Sequence, residues 1–135
     1  MGQQQLLLLV IGVVLVGLSI MAAFPVLDRN FRQDEADGLL DRALAISTHA
    51  VQWKTVNDPF NGGNQSYEPL AEGGLQRLAL DSTNVRGRFA ITGATQRTLE
   101  VTGVSDRYPD VGVRVFIQDY KVDSSRVSFN GAISL

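Results

Sequence analysis

The sequence predicts an α+β protein in which a long, kinked N-terminal helix packs on a small antiparallel β-sheet. Two observations lead to this fold class. The first is an uncharged apolar run at residues 6–24, LLLLVIGVVLVGLSIMAAF, followed by apolar residues at helical spacing as far as Trp53. The second is a set of short segments with alternating apolar residues after a loop rich in glycine and proline. One helix from residue 3 to about residue 55 and three or four strands are therefore expected.

The apolar run is long enough to cross a membrane. At a rise of about 1.5 Å per residue its nineteen positions would span roughly 28 Å, close to the thickness of the hydrocarbon core of a bilayer. We expect the run to be retained rather than removed as a secretory signal. The preceding residues contain no Lys or Arg, Met21 would lie at the third position before a cut after Ala23, and the apolar core exceeds the usual length of about 7–15 residues. Residues 1–25 are therefore predicted to be a filament core or a membrane anchor, with a kink at Pro25.

The second segment, residues 26–56, is predicted to be an amphipathic continuation of the same helix, loosened near Gly38. Its apolar residues recur at spacings of three and four and so share one helix face. This face is expected to pack on the sheet through Leu39, Leu40, Ala43, Ile46, Ala50 and Trp53.

The third segment, residues 57–135, is predicted to be a loop followed by an antiparallel sheet. The loop signals are Asp58-Pro59, Asn61-Gly62 and later Gly-Gly and Glu-Pro pairs, whereas residues 75–80 are ambiguous. The alternation predicts a hairpin from residues 86–92 and 98–104, a strand over residues 111–117 and a last strand that includes Val127, Phe129 and Ile133. Asp119, Asp123 and Ser124 are interpreted as a turn between the last two strands rather than as a calcium site.

Composition disfavours several classes of function. The net charge is −2, so the chain has no electrostatic footprint for nucleic acid. It contains no cysteine, and His49 is its only histidine, which we expect to pack at the core or its rim. No nucleophile-elbow or phosphate-loop motif is present. The sequence therefore predicts a protein that is not an enzyme and has no cofactor or metal ion.

Two groups of polar residues leave alternatives open. Asp34, Glu35 and Asp37 are interpreted as a solvated helix face, and the alternatives are a cation site or pairing with Arg29 and Arg32 of a neighbouring subunit. Asn64-Gln65-Ser66 is an N-glycosylation sequon in a predicted loop, and whether Asn64 is glycosylated is left open.

A short polar leader that ends at Gly2, a long apolar helix, a proline at position 25 and an amphipathic continuation into a sheet resemble the type IV pilin superfamily. The resemblance implies a structural subunit whose partners are identical subunits in a helical filament, the membrane before assembly and a pilus assembly machinery. It implies an extracellular filament on the cell surface, with a single-pass inner-membrane form before assembly. Whether a leader is cleaved after Gly2 stays open. Without cleavage, Gln5 would occupy the position where family members usually carry a glutamate.

Under this interpretation the apolar helix forms the filament core, which is expected to include Gln5, Leu6, Leu8, Val10, Gly12, Val14, Gly17, Ile20, Phe24 and Pro25. The alternatives are a single-pass membrane-anchored envelope domain and a minor pilin or pseudopilin. Arg29 and Arg32 follow the apolar run directly, which by the positive-inside rule favours an orientation opposite to export of the head domain.

Overall fold

The computed structural model describes residues 2–58 and 62–135, and within them the fold is α+β, as predicted. A long N-terminal helix is followed by a four-stranded antiparallel sheet with strand order β1-β2-β3-β4. The elements are α1 (Gly2–Thr55), a 3-10 turn (Glu68–Ala71), a short helix α2 (Gly74–Arg77), and the strands β1 (Gly87–Ala94), β2 (Thr98–Ser105), β3 (Gly112–Gln118) and β4 (Lys121–Ser128). The predicted loop residues Pro59 and Asn61 lie outside the described residues.

The chain divides into two compact units, residues 1–33 and residues 34–135. The described part of the first unit is entirely helical. Leucine and methionine favour this conformation, whereas valine and isoleucine favour it less, so helical propensity alone does not explain the length of α1. Pro25 lies inside α1, and the kink at that position stays a prediction.

The second unit contains the hydrophobic core, which lies between α1 and one face of the sheet. Leu39, Ala43, Ile46 and Ala50 are fully buried on the helix side. Their spacing places them on one face of α1. The sheet contributes alternate, inward-facing residues of β1, β2 and β3, and the loop region contributes two more side chains: Phe89, Leu99, Val101, Val113, Val115, Ile117, Tyr67 and Leu70.

The hairpin β1–β2 and the strand β3 lie close to their predicted positions, but the last strand does not. It was expected to include Val127, Phe129 and Ile133, whereas β4 ends at Ser128. A two-residue turn at Asp119–Tyr120 brings Lys121 opposite Gln118, so pairing begins earlier than predicted. Asp119 has a φ of 56°, a left-handed conformation that suits such a hairpin turn.

The predicted turn residues Asp123 and Ser124 therefore belong to β4 itself. Phe116 pairs with Ser124 and Ile117 pairs with Val122, so Asp123 is the extra residue of a β-bulge. The alternation of Val127, Phe129 and Ile133 misled the prediction. Ile133 is buried for another reason, since it packs over Gly112.

Candidate membrane and assembly helix

The candidate site is the apolar surface of α1 between Leu6 and Phe24. Fourteen large apolar side chains in this stretch are exposed, with exposed fractions from 46% at Ile11 to 72% at Met21. The hydroxyl of Ser19 donates a hydrogen bond to the carbonyl oxygen of Leu15 at 2.8 Å. Ser19, the most polar residue of the stretch, thus has its hydroxyl hydrogen-bonded within the helix. From Leu6 to Phe24 the side chains therefore present an apolar surface around the full circumference of the helix.

The exposed surface is too large to face water. Burying one such side chain completely contributes about 1.5–3 kcal/mol, so covering the exposed parts of fourteen would contribute on the order of 20 kcal/mol. Soluble monomers expose contiguous apolar patches of only about 300–600 Å². Lipid or other protein chains must cover this surface. Within the described residues α1 is one helix that is long and apolar enough to cross a membrane, a property that signal sequences share.

The ends of this surface are marked by polar residues. Gln3, Gln4 and Gln5 form the exposed first turn, which contains no acidic residue. After the run, the guanidinium of Arg32 lies 3.2 Å from the carboxylate of Asp28, one helical turn away. The Asp28 side chain is 59% exposed and that of Arg32 is 31% exposed, so solvent screens the pair and it contributes little to stability. The charges show where α1 leaves its apolar segment.

The residues predicted for the filament core all lie on α1, and all of them are exposed: Gln5, Leu6, Leu8, Val10, Gly12, Val14, Gly17, Ile20, Phe24 and Pro25. Side chains added at Gly12 or Gly17 would meet no atom within 4 Å. Their role in a filament core stays a prediction.

The residues predicted to pack on the sheet lie in the second unit. Leu39, Ala43, Ile46 and Ala50 are fully buried in the core, as given above. Leu40 and Trp53 are partly buried and pack against it. The histidine prediction was wrong, because His49 is exposed on α1.

A buried polar cluster connects α1 with the sheet, and the sequence analysis missed it. Glu35, interpreted as part of a solvated face, is only 8% exposed, so that interpretation was wrong at this position. Its carboxylate accepts a hydrogen bond of 2.8 Å from the hydroxyl of Ser105 and lies 3.8 Å from Nη1 of Arg86. The Arg86 guanidinium covers Gly38 so closely that a Cβ there would lie 2.4 Å from it. Gly38 thus allows a close side-chain approach.

A second cluster lies at the end of α1. Lys54 is 3% exposed, and its Nζ lies 4.4 Å from the ring centroid of Tyr67 and 4.7 Å from that of Tyr120. The Tyr67 hydroxyl donates a hydrogen bond to the carbonyl oxygen of Asp119. Burial, followed by the charges of Tyr120 and Asp119, raises the pKa of Tyr67 to about 12. The two rings and the cation tie α1 to the β3–β4 turn.

The sequon at Asn64 lies just beside this cluster. Asn64 is exposed and has a φ of 48°, and the amide of Gln65 donates a hydrogen bond of 2.8 Å to the carbonyl oxygen of Lys54. Whether Asn64 is glycosylated stays open.

Comparisons of the chain with protein-family models, with curated proteins and with solved structures found no match. The functional argument therefore depends on the apolar surface of α1 and on the fold that follows it.

Proposed function

We propose that this chain is the structural subunit of a type IV pilus-like extracellular filament, which polymerises through the apolar segment of α1. The observation that supports the proposal is the uncovered apolar surface of residues 6–24, which precedes a folded α+β unit in the sequence. A helical array with these segments at its centre would bury their full circumference. The folded units would then form the outer surface of the filament.

The apolar segment suits both a membrane-embedded form before assembly and an open-ended polymer after it. In lipid, a helix of Leu and Val is stable alone, because the lipid tails are as apolar as the side chains. Before assembly the segment would therefore cross the inner membrane once, and a pilus assembly machinery would transfer it into the filament. In the filament, each copy would contact the next through a different surface. Such contacts form a closed ring only if the rotation between successive copies brings the last copy back to the first, and otherwise they generate an open filament.

A second candidate function is a single-pass membrane-anchored envelope domain, with a minor pilin or pseudopilin as an intermediate case. The uncovered apolar surface of residues 6–24 supports this alternative equally well, whereas Arg29 and Arg32, which by the positive-inside rule favour a cytoplasmic position for the residues after the span, count against export of the folded unit in both cases. An anchored domain would need only lipid around α1.

Electron microscopy of material sheared from cells that produce the protein tests the proposal. Thin filaments that contain this chain are expected. Leu8→Asp or Val14→Asp should abolish them, because a carboxylate in the core would be buried without a partner. Gln52→Asp is the matched control, since Gln52 is exposed on α1 beyond the apolar run, and filaments should form normally. Normal filaments from Leu8→Asp, or a chain that stays in the membrane fraction without filaments, would contradict the proposal.

A further inference from the structure

The face of β4 that continues the core side of the sheet is uncovered. Val122 lies opposite Ile117, and Val127 lies opposite Val113. Opposite residues of an antiparallel pair share one face of the sheet. The two β3 residues are at most 1% exposed, whereas Val122 is 49% and Val127 is 41% exposed. The cover that protects the core side of β3 therefore does not extend over β4.

Tyr120 extends this uncovered surface at the start of β4. It is 48% exposed, and its ring lies on the side of α1, as the contact with Lys54 shows. We refer to Tyr120, Val122 and Val127 as the β4 strip. The strip carries no charge, because the register places Arg126 opposite Arg114 on the other face, where Arg114 pairs with Glu100 at 3.1 Å.

A second uncovered apolar surface lies on α1 where the predicted membrane span ends, and it continues beyond that span. Phe24, Leu27 and Phe31 follow each other at spacings of three and four residues and therefore share one helix face. They are 65%, 48% and 56% exposed. We refer to these three residues as the helix stripe.

We propose that the β4 strip of one copy packs against the helix stripe of a second copy. The proposal rests on the proposed function and names the contact between the folded unit of one subunit and the helix of its neighbour. The helix stripe fits within the length of the β4 strip, since the strand from Val122 to Val127 alone extends about 15 Å and the helix from Phe24 to Phe31 about 10 Å between Cα atoms. The six side chains that define the two surfaces are uncharged. Asp28 lies beside Phe24 and Phe31 at the border of the helix stripe, where it is 59% exposed and pairs with Arg32 at 3.2 Å, so the contact buries no unpaired charge.

The size of the contact indicates which partner fits. A fully exposed aromatic side chain has an area of roughly 200 Å², and Val and Leu have somewhat less. Multiplied by the exposed fractions of the six residues, these areas indicate that the two surfaces together would bury about 600 Å². A stable complex between free proteins buries about 1,200–2,000 Å². The contact is therefore too small for a freely diffusing partner. It suits a partner that is already held at high effective concentration, and a second copy anchored through the same apolar helix meets that condition.

Cross-linking between engineered cysteines tests the contact in the full chain, which has no natural cysteine. Two differently tagged chains, one with Phe31→Cys and the other with Val127→Cys, are produced in the same cells and treated with a short bismaleimide. A heterodimer of the two tags is expected. Val26→Cys is the control for Phe31→Cys, because Val26 is equally exposed on α1 but lies about 140° around the helix from Phe31. Ser124→Cys is the control on the outer face of β4. The matched pair should give at least about tenfold more heterodimer than either control.

The outcomes separate this inference from the proposed function, because filaments are examined by electron microscopy in the same cells. Filaments with selective cross-linking support both. Filaments without selective cross-linking overturn the contact and leave the filament subunit standing. Selective cross-linking in membranes without filaments supports the contact between copies and contradicts the filament. Equal cross-linking of the matched and control pairs, with or without filaments, overturns the contact.

Discussion

Replacing Gly38 with alanine should destabilise the folded unit, although alanine is the better helix former. Without tertiary contacts, the change would stabilise the interior of a helix by about 1 kcal/mol. The new Cβ, however, would lie 2.4 Å from Cζ and Nη1 of Arg86, and this flexible side chain would have to move. The carboxylate of Glu35 would then lose its ion pair and keep only the hydrogen bond from Ser105.

The magnitude follows from the burial of the two partners. Glu35 is mostly buried, whereas the Arg86 side chain is 46% exposed and the two charged groups lie 3.8 Å apart. We therefore expect loss of this ion pair to cost about 1–2 kcal/mol, less than the loss of a fully buried pair. After the gain of about 1 kcal/mol in helix propensity is subtracted, Gly38→Ala should lower the free energy of unfolding by up to about 1 kcal/mol. In an Arg86→Ala background there is no guanidinium beside residue 38, and Gly38→Ala should raise the free energy of unfolding by about 1 kcal/mol.

The assay is urea unfolding of the full chain in detergent, followed by the fluorescence of Trp53. Trp53 is the sole tryptophan and packs against the core, so it reports on the second unit. Gly17→Ala is the control. Its Cβ would meet no atom within 4 Å, and Gly17 lies in the first unit, so the midpoint of the second unit that Trp53 reports should not change. A stabilisation by Gly38→Ala that is equal with and without Arg86 would refute the reasoning.

Three further predictions concern the core, the tyrosine cluster and the apolar run. Ile46→Ala should lower the free energy of unfolding by about 2–5 kcal/mol in the same assay, whereas Asp41→Ala at an exposed position should change it by less than about 0.5 kcal/mol. Because the folded pKa of Tyr67 is raised to about 12 from 10.0, the folded state holds this proton more tightly than the unfolded state. Stability should be unaffected by this group below pH 10 and fall by up to about 2–3 kcal/mol between pH 10 and 12, a decrease that Tyr67→Phe should remove in urea unfolding at each pH. A chain that begins at residue 29 should be soluble and monomeric in analytical ultracentrifugation, and self-assembly of this truncated chain would contradict the role of the apolar run.

The extent of α1 could be predicted because its signals are local. A continuous apolar run and then a repeat of three and four residues predicted a helix from residue 3 to about residue 55, and α1 spans Gly2–Thr55. The hairpin β1–β2 was predicted for the same reason, since alternating residues flank a short polar turn. The sequence KVDSSRVS of β4 could not be recognised, because a strand exposed on both faces has no apolar alternation.

By itself, the sequence determined the α+β class, the apolar surface that must be covered and the face of α1 that enters the core, because hydrophobic periodicity reports burial between near neighbours in the chain. The tertiary structure alone decided that Glu35 is buried against Ser105 and Arg86, that Gly38 makes room for the arginine, and that Lys54 lies between two tyrosine rings. These contacts join residues that are distant in the chain. A buried charge is stable only where a hydrogen-bonding or oppositely charged partner contacts it. No local sequence pattern indicates which distant residue the fold places in that position.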